Sequence, residues 1–122
     1  MLDDGTRVKN SAGAERENQE GKGAWAFIPY IGMHRTAIWF EQGAKKYGDR
    51  NWEKGLSIKD CCNSIARHLW KFIWGDNSED HLAAIVQNAM MIMHFENGAG
   101  YNYGPDVLDL PRYENRTEVK EL

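Results

Sequence analysis

The sequence has few cysteines, no long apolar run and no basic excess, and each absence excludes a class of protein. Cys61 and Cys62, its only cysteines, are adjacent, which excludes a disulfide scaffold and a zinc site of paired cysteines. No apolar run approaches the roughly 18–20 residues that cross a bilayer, and the beginning MLDDGTRVKN lacks the basic-then-apolar layout of a signal peptide. We therefore expect a cytoplasmic protein with no membrane partner.

The charge and the composition exclude further classes of protein. The 15 Lys and Arg residues stand against 18 Asp and Glu, for a formal net charge of −3. Nucleic-acid binders usually carry a basic patch, so we expect no nucleic-acid partner. With 122 residues, of which 42% are hydrophobic and 27% charged, the chain has the size and composition of one folded domain. All histidines and tryptophans lie within residues 24–95, so candidate chemistry concentrates there.

Three stretches repeat apolar residues at steps of three and four, which is the period of an amphipathic helix. The predicted helices cover residues 30–47, 57–74 and 78–95. Ser57 begins a capping motif for the second helix, and either Asn77 or Ser78 can cap the third. No segment has the pattern of a strand. The predicted fold class is therefore all-α, a small bundle of three helices.

The ends of the chain differ from this helical part. Residues 1–23 and 99–122 are mostly polar and hold neither His nor Trp, so we predict N- and C-terminal arms, with one marginal helical turn at the C-terminal end. The three predicted helices make a small core, and each carries apolar residues on more than one face. Because small domains often complete their core by self-association, we expect a homodimer or homotetramer.

The predicted helices also carry side chains suited to chemistry. They are His34, Glu41 and Lys45 on the first helix, Arg67, His68 and Lys71 on the second, and His81 and Asn88 on the third. Carboxylates, imidazoles and cations together suit a divalent metal bound to a phosphorylated ligand. Charged and polar residues such as these also have ordinary structural explanations. Glu79 and Asp80, for example, would stabilise the start of the third helix by interacting with the helix dipole.

Four sequence blocks occur in the same order as in a known family: GAEREN-x-E-GKG, E-x-GAKKYGDRNWEKG, ARHLWK and GDNSEDHLAAIVQNAM. Together they cover about residues 11–96 and resemble the dATP/dGTP diphosphohydrolases of phages and bacteria, which include the small MazZ-like enzymes. That family is related to the all-α nucleoside triphosphate pyrophosphohydrolases of the MazG and HisE type. The resemblance implies one all-α enzyme domain over residues 1–122.

The activity that the resemblance implies is metal-dependent hydrolysis of a purine nucleotide, dGTP or dATP, between the α- and β-phosphates. Its products are the deoxynucleoside monophosphate and diphosphate. Mg²⁺ or Mn²⁺ is the implied cofactor, and the implied partner is a small-molecule nucleotide. In a phage, such an enzyme would change the nucleotide pool, for example by supplying dGMP for the synthesis of 2-aminoadenine nucleotides.

The resemblance also implies roles for individual residues. Glu41, Glu79 and Asp80 would be catalytic and, together with His81, would hold the metal, Glu79 serving as a ligand or as the base that activates water. The implied substrate-binding residues are Lys45, Lys46, Asn51, Trp52, Arg67, His68 and Asn88.

One departure from the wider superfamily concerns the metal ligands. The superfamily pairs Glu-x-x-Glu on one helix with Glu-x-x-Asp on the next, whereas apolar residues stand three positions to either side of Glu41 and directly after His81. Either Asp76, Glu53 or His81 completes the metal site, or fewer carboxylates suffice.

Two other functions stay open at this point. An HD-type phosphohydrolase is also helical, but it needs a consecutive His-Asp pair, and this chain has only the reversed Asp80-His81. A non-enzymatic helical module would bind partners through its arms. Metal and nucleotide together would not raise the thermal stability of such a module, because only ligands that bind the native state do so.

Overall fold

The computed structural model describes residues 6–98 and 100–111. The chain divides into two compact units, Met1–Tyr30 and Ile31–Leu122. Three α-helices dominate the described residues, beside a sheet of only two short strands, so the all-α prediction is confirmed. None of the described helices has the length and apolar character needed to cross a membrane.

A small hairpin in the first unit is a feature that the sequence did not predict. Strand β1 (Arg7–Lys9) pairs antiparallel with β2 (Glu15–Glu17), and each end pair sets a basic residue of β1 opposite a glutamate of β2. The Asn10 side-chain oxygen accepts two backbone N–H groups within the turn. Cross-strand charge pairs and this turn define the hairpin, so the search for alternating apolar residues missed it. A 3₁₀ turn, Trp25–Phe27, follows.

Three α-helices form where the apolar periodicity predicts them. They are α1 (Tyr30–Tyr47), α2 (Ile58–Ile73) and α3 (His81–Asn97). The predicted cap of α2 is confirmed, because the Ser57 hydroxyl accepts the Asp60 N–H at 3.1 Å. A 3₁₀ turn, Asn51–Lys54, lies between α1 and α2.

Helix α3 begins three residues later than the sequence predicts. Its N-cap is Asp80, whose carboxylate accepts a backbone N–H three residues on at 3.1 Å, so the prediction of Asn77 or Ser78 as the cap is wrong. The Ser78 hydroxyl donates instead to Asp76 at 2.7 Å. Asn, Ser and Asp are all good capping residues, so the sequence alone does not rank them. The chain ahead of Asp80 is therefore a turn, and this turn carries Glu79 outside the helix.

The core of the second unit lies between α2, α3 and the chain that follows α3. Its buried residues are Ile58, Cys61, Met91, Phe95 and Val107. Leu108 and Leu110 pack against this cluster as partly buried side chains. These residues lie in the segment predicted as a C-terminal arm, so the part of that segment up to Leu110 contributes to the core. The helical turn predicted for the C-terminal end lies outside the described residues.

The segment after α3 is fixed to the chain around the start of α2. The Ile58 N–H donates to the Val107 carbonyl at 3.0 Å, and the Tyr103 hydroxyl donates to the Glu53 carbonyl at 2.5 Å. Gly55 allows this close approach, because a Cβ there would lie 2.7 Å from a Val107 methyl carbon and its φ is +109°. A side chain at position 55 would therefore meet both steric overlap and backbone strain.

Asp109 gives this attachment a pH dependence. Hydrogen bonds from the Ser57 hydroxyl and from the Lys59 N–H lower its pKa below the ordinary 3.8. A lowered folded-state pKa means that the carboxylate stabilises the fold above pH 3.8 and loses this effect as the pH falls through the lowered value. We expect Asp109→Asn to lower the melting temperature at pH 7, and the difference from the parent to shrink below pH 3.8. Thermal unfolding across this pH range measures it, and a difference that acid leaves unchanged would contradict the assignment.

Exposed apolar side chains remain on α2 and α3. They are Leu69, Trp70, Phe72 and Ile73 on α2 and Leu82, Val86 and Met93 on α3. Large apolar side chains exposed in this number are more than a single small domain needs, and they are typical of surfaces that another molecule covers. The expected homodimer or homotetramer stays a prediction that these surfaces favour.

Candidate functional site

Two buried histidines and two carboxylates meet where the end of α2 faces the start of α3. His68 of α2 and His81 of α3 are both buried, and their Nδ1 atoms lie 2.8 Å apart. Glu79 approaches from the turn before α3, with its Oε2 atom 3.9 Å from His68 Nδ1. Asp76 lies on the far side of His81, with its Oδ2 atom 2.5 Å from Nε2. We call His68, Glu79 and His81 the histidine cluster.

The hydrogen-bond pattern fixes which histidine nitrogens offer lone pairs. Ionised Asp76 only accepts, so His81 Nε2 carries the hydrogen and, in the neutral ring, Nδ1 is left with a free lone pair. Two N–H groups facing each other at 2.8 Å would repel, so this lone pair either accepts the His68 Nδ1 hydrogen or binds an ion. A carboxylate that orients a histidine in this way is the usual support for a metal ligand.

The pKa shifts agree with neutral imidazole beside ionised carboxylate. Burial lowers the pKa of His68 below its ordinary 6.5, so this ring is neutral at pH 7, the state that ligates metals. The hydroxyl of Ser78, and after it the His81 ring, lower the pKa of Asp76. Asp76 therefore stays ionised at neutral pH, as its role as an acceptor requires.

A cleft of about 620 Å³ lies beside the cluster, between one face of α1 and the turn before α3. Its lining residues are Arg35, Ile38, Trp39, Gln42, Asn77, Ser78, Glu79 and Asp80. Arg35 spans the two walls, because its Nε and Nη2 atoms donate to the two carboxylate oxygens of Asp80 at 2.8 and 2.6 Å. These bonds lower the pKa of Asp80 and raise that of Arg35. The same carboxylate caps α3, so Arg35 ties α1 to the helix start that positions His81.

Glu79 belongs to both features, because it is a member of the histidine cluster and a wall of the cleft. Trp39 connects them on the other side, since its ring meets the His68 ring edge to face with centroids 6.1 Å apart. A ligand in the cleft would therefore lie next to the cluster rather than at a separate place.

The predicted site residues of α1 belong neither to the histidine cluster nor to the lining of the cleft. The Glu41 side chain is 61% exposed and pairs with Lys45 at 3.5 Å. The Lys46 ammonium lies over the Tyr47 ring, 5.1 Å from its centre. None of these residues lines the cleft. The metal-binding role of Glu41 and the phosphate-binding roles of Lys45 and Lys46 stay predictions.

Other predicted substrate-binding residues have structural partners. Trp52 is partly buried and packs against Phe40 and Phe95, so it covers the core, the ordinary role for an aromatic residue between two helices. Asn88 is buried and donates to the carbonyl one helical turn earlier at 2.8 Å. Asn51 begins the 3₁₀ turn after α1, where its N–H donates to the Gly48 carbonyl at 3.3 Å.

Arg67 lies on an exposed face of α2, outside the cleft. It lines a separate shallow groove together with Trp70, Lys71 and Trp74. His68, its neighbour in sequence, points the other way into the cluster. The structure thus separates two residues that the ARHLWK block places side by side.

Sequence reasoning missed Arg35, Trp39 and Gln42 as site residues. Their spacing of four and then three places them on one helical face, a signal that was present in the sequence. The sequence analysis took His34, Glu41 and Lys45 as the candidate residues of α1 instead. Asp76 was named only as one way to complete the metal site, because its contact with His81 depends on the turn before α3.

The ligand atoms of the histidine cluster indicate which kind of metal ion the cluster fits. One ligand atom from each of the three residues lies within 4.8 Å of the others, and no other such group of three occurs among residues 6–98 and 100–111. Two imidazole nitrogens with one carboxylate oxygen suit a divalent transition-metal ion, a class that includes Mn²⁺, whereas Mg²⁺ prefers oxygen ligands alone. The residues therefore fit one of the two expected cofactors, with a ligand set richer in nitrogen than the resemblance implies.

Fold and site together define an all-α domain whose histidine and carboxylate cluster opens on a cleft. Residues 12–102 match the family model described as dATP/dGTP diphosphohydrolase, N-terminal. This match covers well over half of the chain, so the chain belongs to that family, a family of hydrolases that act on nucleotides, and the predicted resemblance is confirmed. The comparisons with curated proteins and with solved structures gave no significant match.

Proposed function

We propose that the chain hydrolyses dGTP, dATP or both to the deoxynucleoside monophosphate and diphosphate. Water attacks the α-phosphorus, the bond from this phosphorus to the bridging oxygen breaks, and diphosphate leaves with that oxygen. The family description supports the substrate class and the hydrolytic reaction. The choice of the bond between the α- and β-phosphates rests on the resemblance to pyrophosphohydrolases.

The observation that carries this proposal is the double position of Glu79. Its Oε2 atom faces His68 in the cluster, while the residue also forms a wall of the cleft. A triphosphate in the cleft would thus reach the metal ligands without rearrangement of the helices. The second carboxylate oxygen of Glu79 is left to accept the proton of the attacking water.

Arg35 supplies positive charge for the phosphates. A guanidinium has five N–H groups, and Asp80 uses two of them, so three remain for a ligand in the cleft. Arginine suits this role because its planar fork of donors matches phosphate oxygens. Asp80 in turn holds the guanidinium in place, which gives this carboxylate a function in the site without direct contact with the metal.

We propose that His68, Glu79 and His81 hold the divalent cation, with Asp76 orienting His81. Bound there, a divalent ion would lower the pKa of a water ligand and neutralise charge on the phosphates. Of the two expected cofactors, Mn²⁺ is the better fit, because Mg²⁺ rarely takes nitrogen ligands.

The test is incubation of the purified chain with a panel of dNTPs and NTPs and with Mn²⁺ or Mg²⁺, followed by chromatography. We expect monophosphate and diphosphate from purine deoxynucleotides, faster with Mn²⁺ than with Mg²⁺. Nucleoside with triphosphate would indicate the HD-type reaction. A lack of turnover with every nucleotide and metal would favour the non-enzymatic module. The Glu79→Gln variant, purified in the same way, controls for contaminating phosphatases.

A further inference from the structure

The cleft carries a base-sized recognition surface beside the histidine cluster. Trp39 and Gln42 come from adjacent turns of α1, and Asn77 stands on the opposite wall. Trp39 is half-buried, so one part of the indole is held by the protein and the rest lines the cleft. None of these three residues is an ordinary phosphate ligand, and an aromatic ring beside two primary amides matches the chemistry of a nucleobase.

Trp39 offers the stacking surface. Its ring is fixed against the His68 ring, with an interplanar angle of 85°, so its orientation is set before a ligand arrives. Aromatic side chains stack on any base, and larger bases gain more from the overlap. A purine therefore gains more than a pyrimidine at this position, without any hydrogen bond to the base.

Gln42 offers the hydrogen-bonding group. Neither its side-chain amide nor that of Asn77 is bonded to another described residue, so both are available to a ligand. Adenine presents an amino donor beside a ring-nitrogen acceptor, whereas guanine presents a carbonyl acceptor beside a ring N–H donor. A carboxamide matches both arrangements of donor and acceptor, because a 180° rotation of the amide group exchanges the positions of its oxygen and nitrogen.

We propose that Trp39 stacks on the purine of the substrate and that Gln42 bonds to the edge of either purine by turning its amide. This inference rests on the proposed function and adds the residues that determine base specificity. It would allow one site to accept both adenine and guanine nucleotides, which a fixed donor or acceptor would not.

Calorimetric titration with α,β-methylene analogues of dGTP and dATP, in the presence of Mn²⁺, tests the stacking. Inorganic tripolyphosphate is the probe without a base. We expect Trp39→Leu to raise the Kd of both analogues about 5- to 150-fold and to change the Kd of tripolyphosphate less than about twofold. Trp39→Phe keeps an aromatic ring and should restore most of the affinity. Trp70→Leu, at an exposed tryptophan outside the cleft, is the matched control and should bind like the parent.

The amide is tested by Gln42→Glu in the same titrations. A carboxylate only accepts, so it matches the ring N–H and amino donors of guanine and repels the ring-nitrogen acceptor of adenine. We expect the ratio of the dATP-analogue Kd to the dGTP-analogue Kd to rise about tenfold or more, an effect comparable with one bidentate contact. An equal change for both analogues would overturn the role of Gln42.

The outcomes separate this inference from the proposed reaction. Analogue binding by Trp39→Leu at the parent affinity, or an equal loss for tripolyphosphate, would overturn the stacking, whether or not the chain hydrolyses nucleotides. A parent chain that binds the analogues with the expected variant pattern but never hydrolyses dNTPs would contradict the reaction and support the base site.

Discussion

Replacing Glu79 with glutamine is expected to lower kcat/KM for the purine deoxynucleotide by about 10²- to 10⁴-fold, the usual contribution of a group that transfers a proton in the reaction. The substitution keeps the shape of the side chain and removes the charge that both the metal and the attacking water require. Glu79 is half-exposed in the turn before α3, so we expect the variant to keep the parent fold. Steady-state kinetics with Mn²⁺, together with thermal unfolding of both proteins, measures this loss.

Glu41→Gln is the matched control, since it makes the same chemical change at an exposed carboxylate of α1 that pairs only with Lys45 among the described residues. If the histidine cluster is the complete ligand set, its kcat/KM stays within about threefold of the parent, a change too small for a lost metal ligand. A loss in Glu41→Gln as large as in Glu79→Gln would place the α1 carboxylate in the site, as the family resemblance implies. It would also contradict the histidine cluster as the complete ligand set.

The three helices could be predicted because their signals are local. Apolar residues at steps of three and four define α1 to α3, and Ser57 marks the start of α2 through a motif of four residues. The packing of Val107 under the start of α2 is not local. Its position depends on contacts about 50 residues away in sequence, such as the hydrogen bond between Asp109 and Lys59, and nothing near Val107 indicates them.

The candidate site also has a part that could be predicted from the sequence and a part that could not. His68, Glu79 and His81 were all predicted as functional residues, but as a substrate contact and two metal ligands rather than as one cluster. Their meeting depends on how α2 and α3 cross and on where α3 begins. Because α3 starts at His81 and not earlier, Asp80 serves as its cap and holds Arg35, while Asp76 is left to orient His81. A shift of three residues in one helix start therefore changes the roles of these carboxylates.

Phe95→Ala is expected to lower the free energy of unfolding by about 3–5 kcal/mol, the range for deleting a fully buried aromatic ring. Phe95 is only 1% exposed, and its ring lies 5.1 Å from that of Tyr103 and 6.1 Å from that of Trp52. Its loss would leave a cavity where α3, the 3₁₀ turn and the chain after α3 meet. Urea unfolding measures the change, and Phe95→Leu, which refills part of the cavity, gives a smaller loss if the alanine variant does not fold.

Phe72→Ala is the matched control, because the same ring is removed from a side chain that is 49% exposed on α2. In an isolated chain it should cost only about 1–1.5 kcal/mol, roughly half of what full burial of such a ring is worth. A homodimer or homotetramer that covers this part of α2 would increase the free-energy loss expected for Phe72→Ala. The loss in Phe72→Ala would then grow with protein concentration, because association stabilises the parent by mass action, and sedimentation would show the variant dissociating first. A small loss for Phe72→Ala at every concentration, with the parent monomeric, would contradict self-association through this face. A loss of 3 kcal/mol or more that does not depend on concentration would contradict the assignment of the core to the Phe95 side of the bundle.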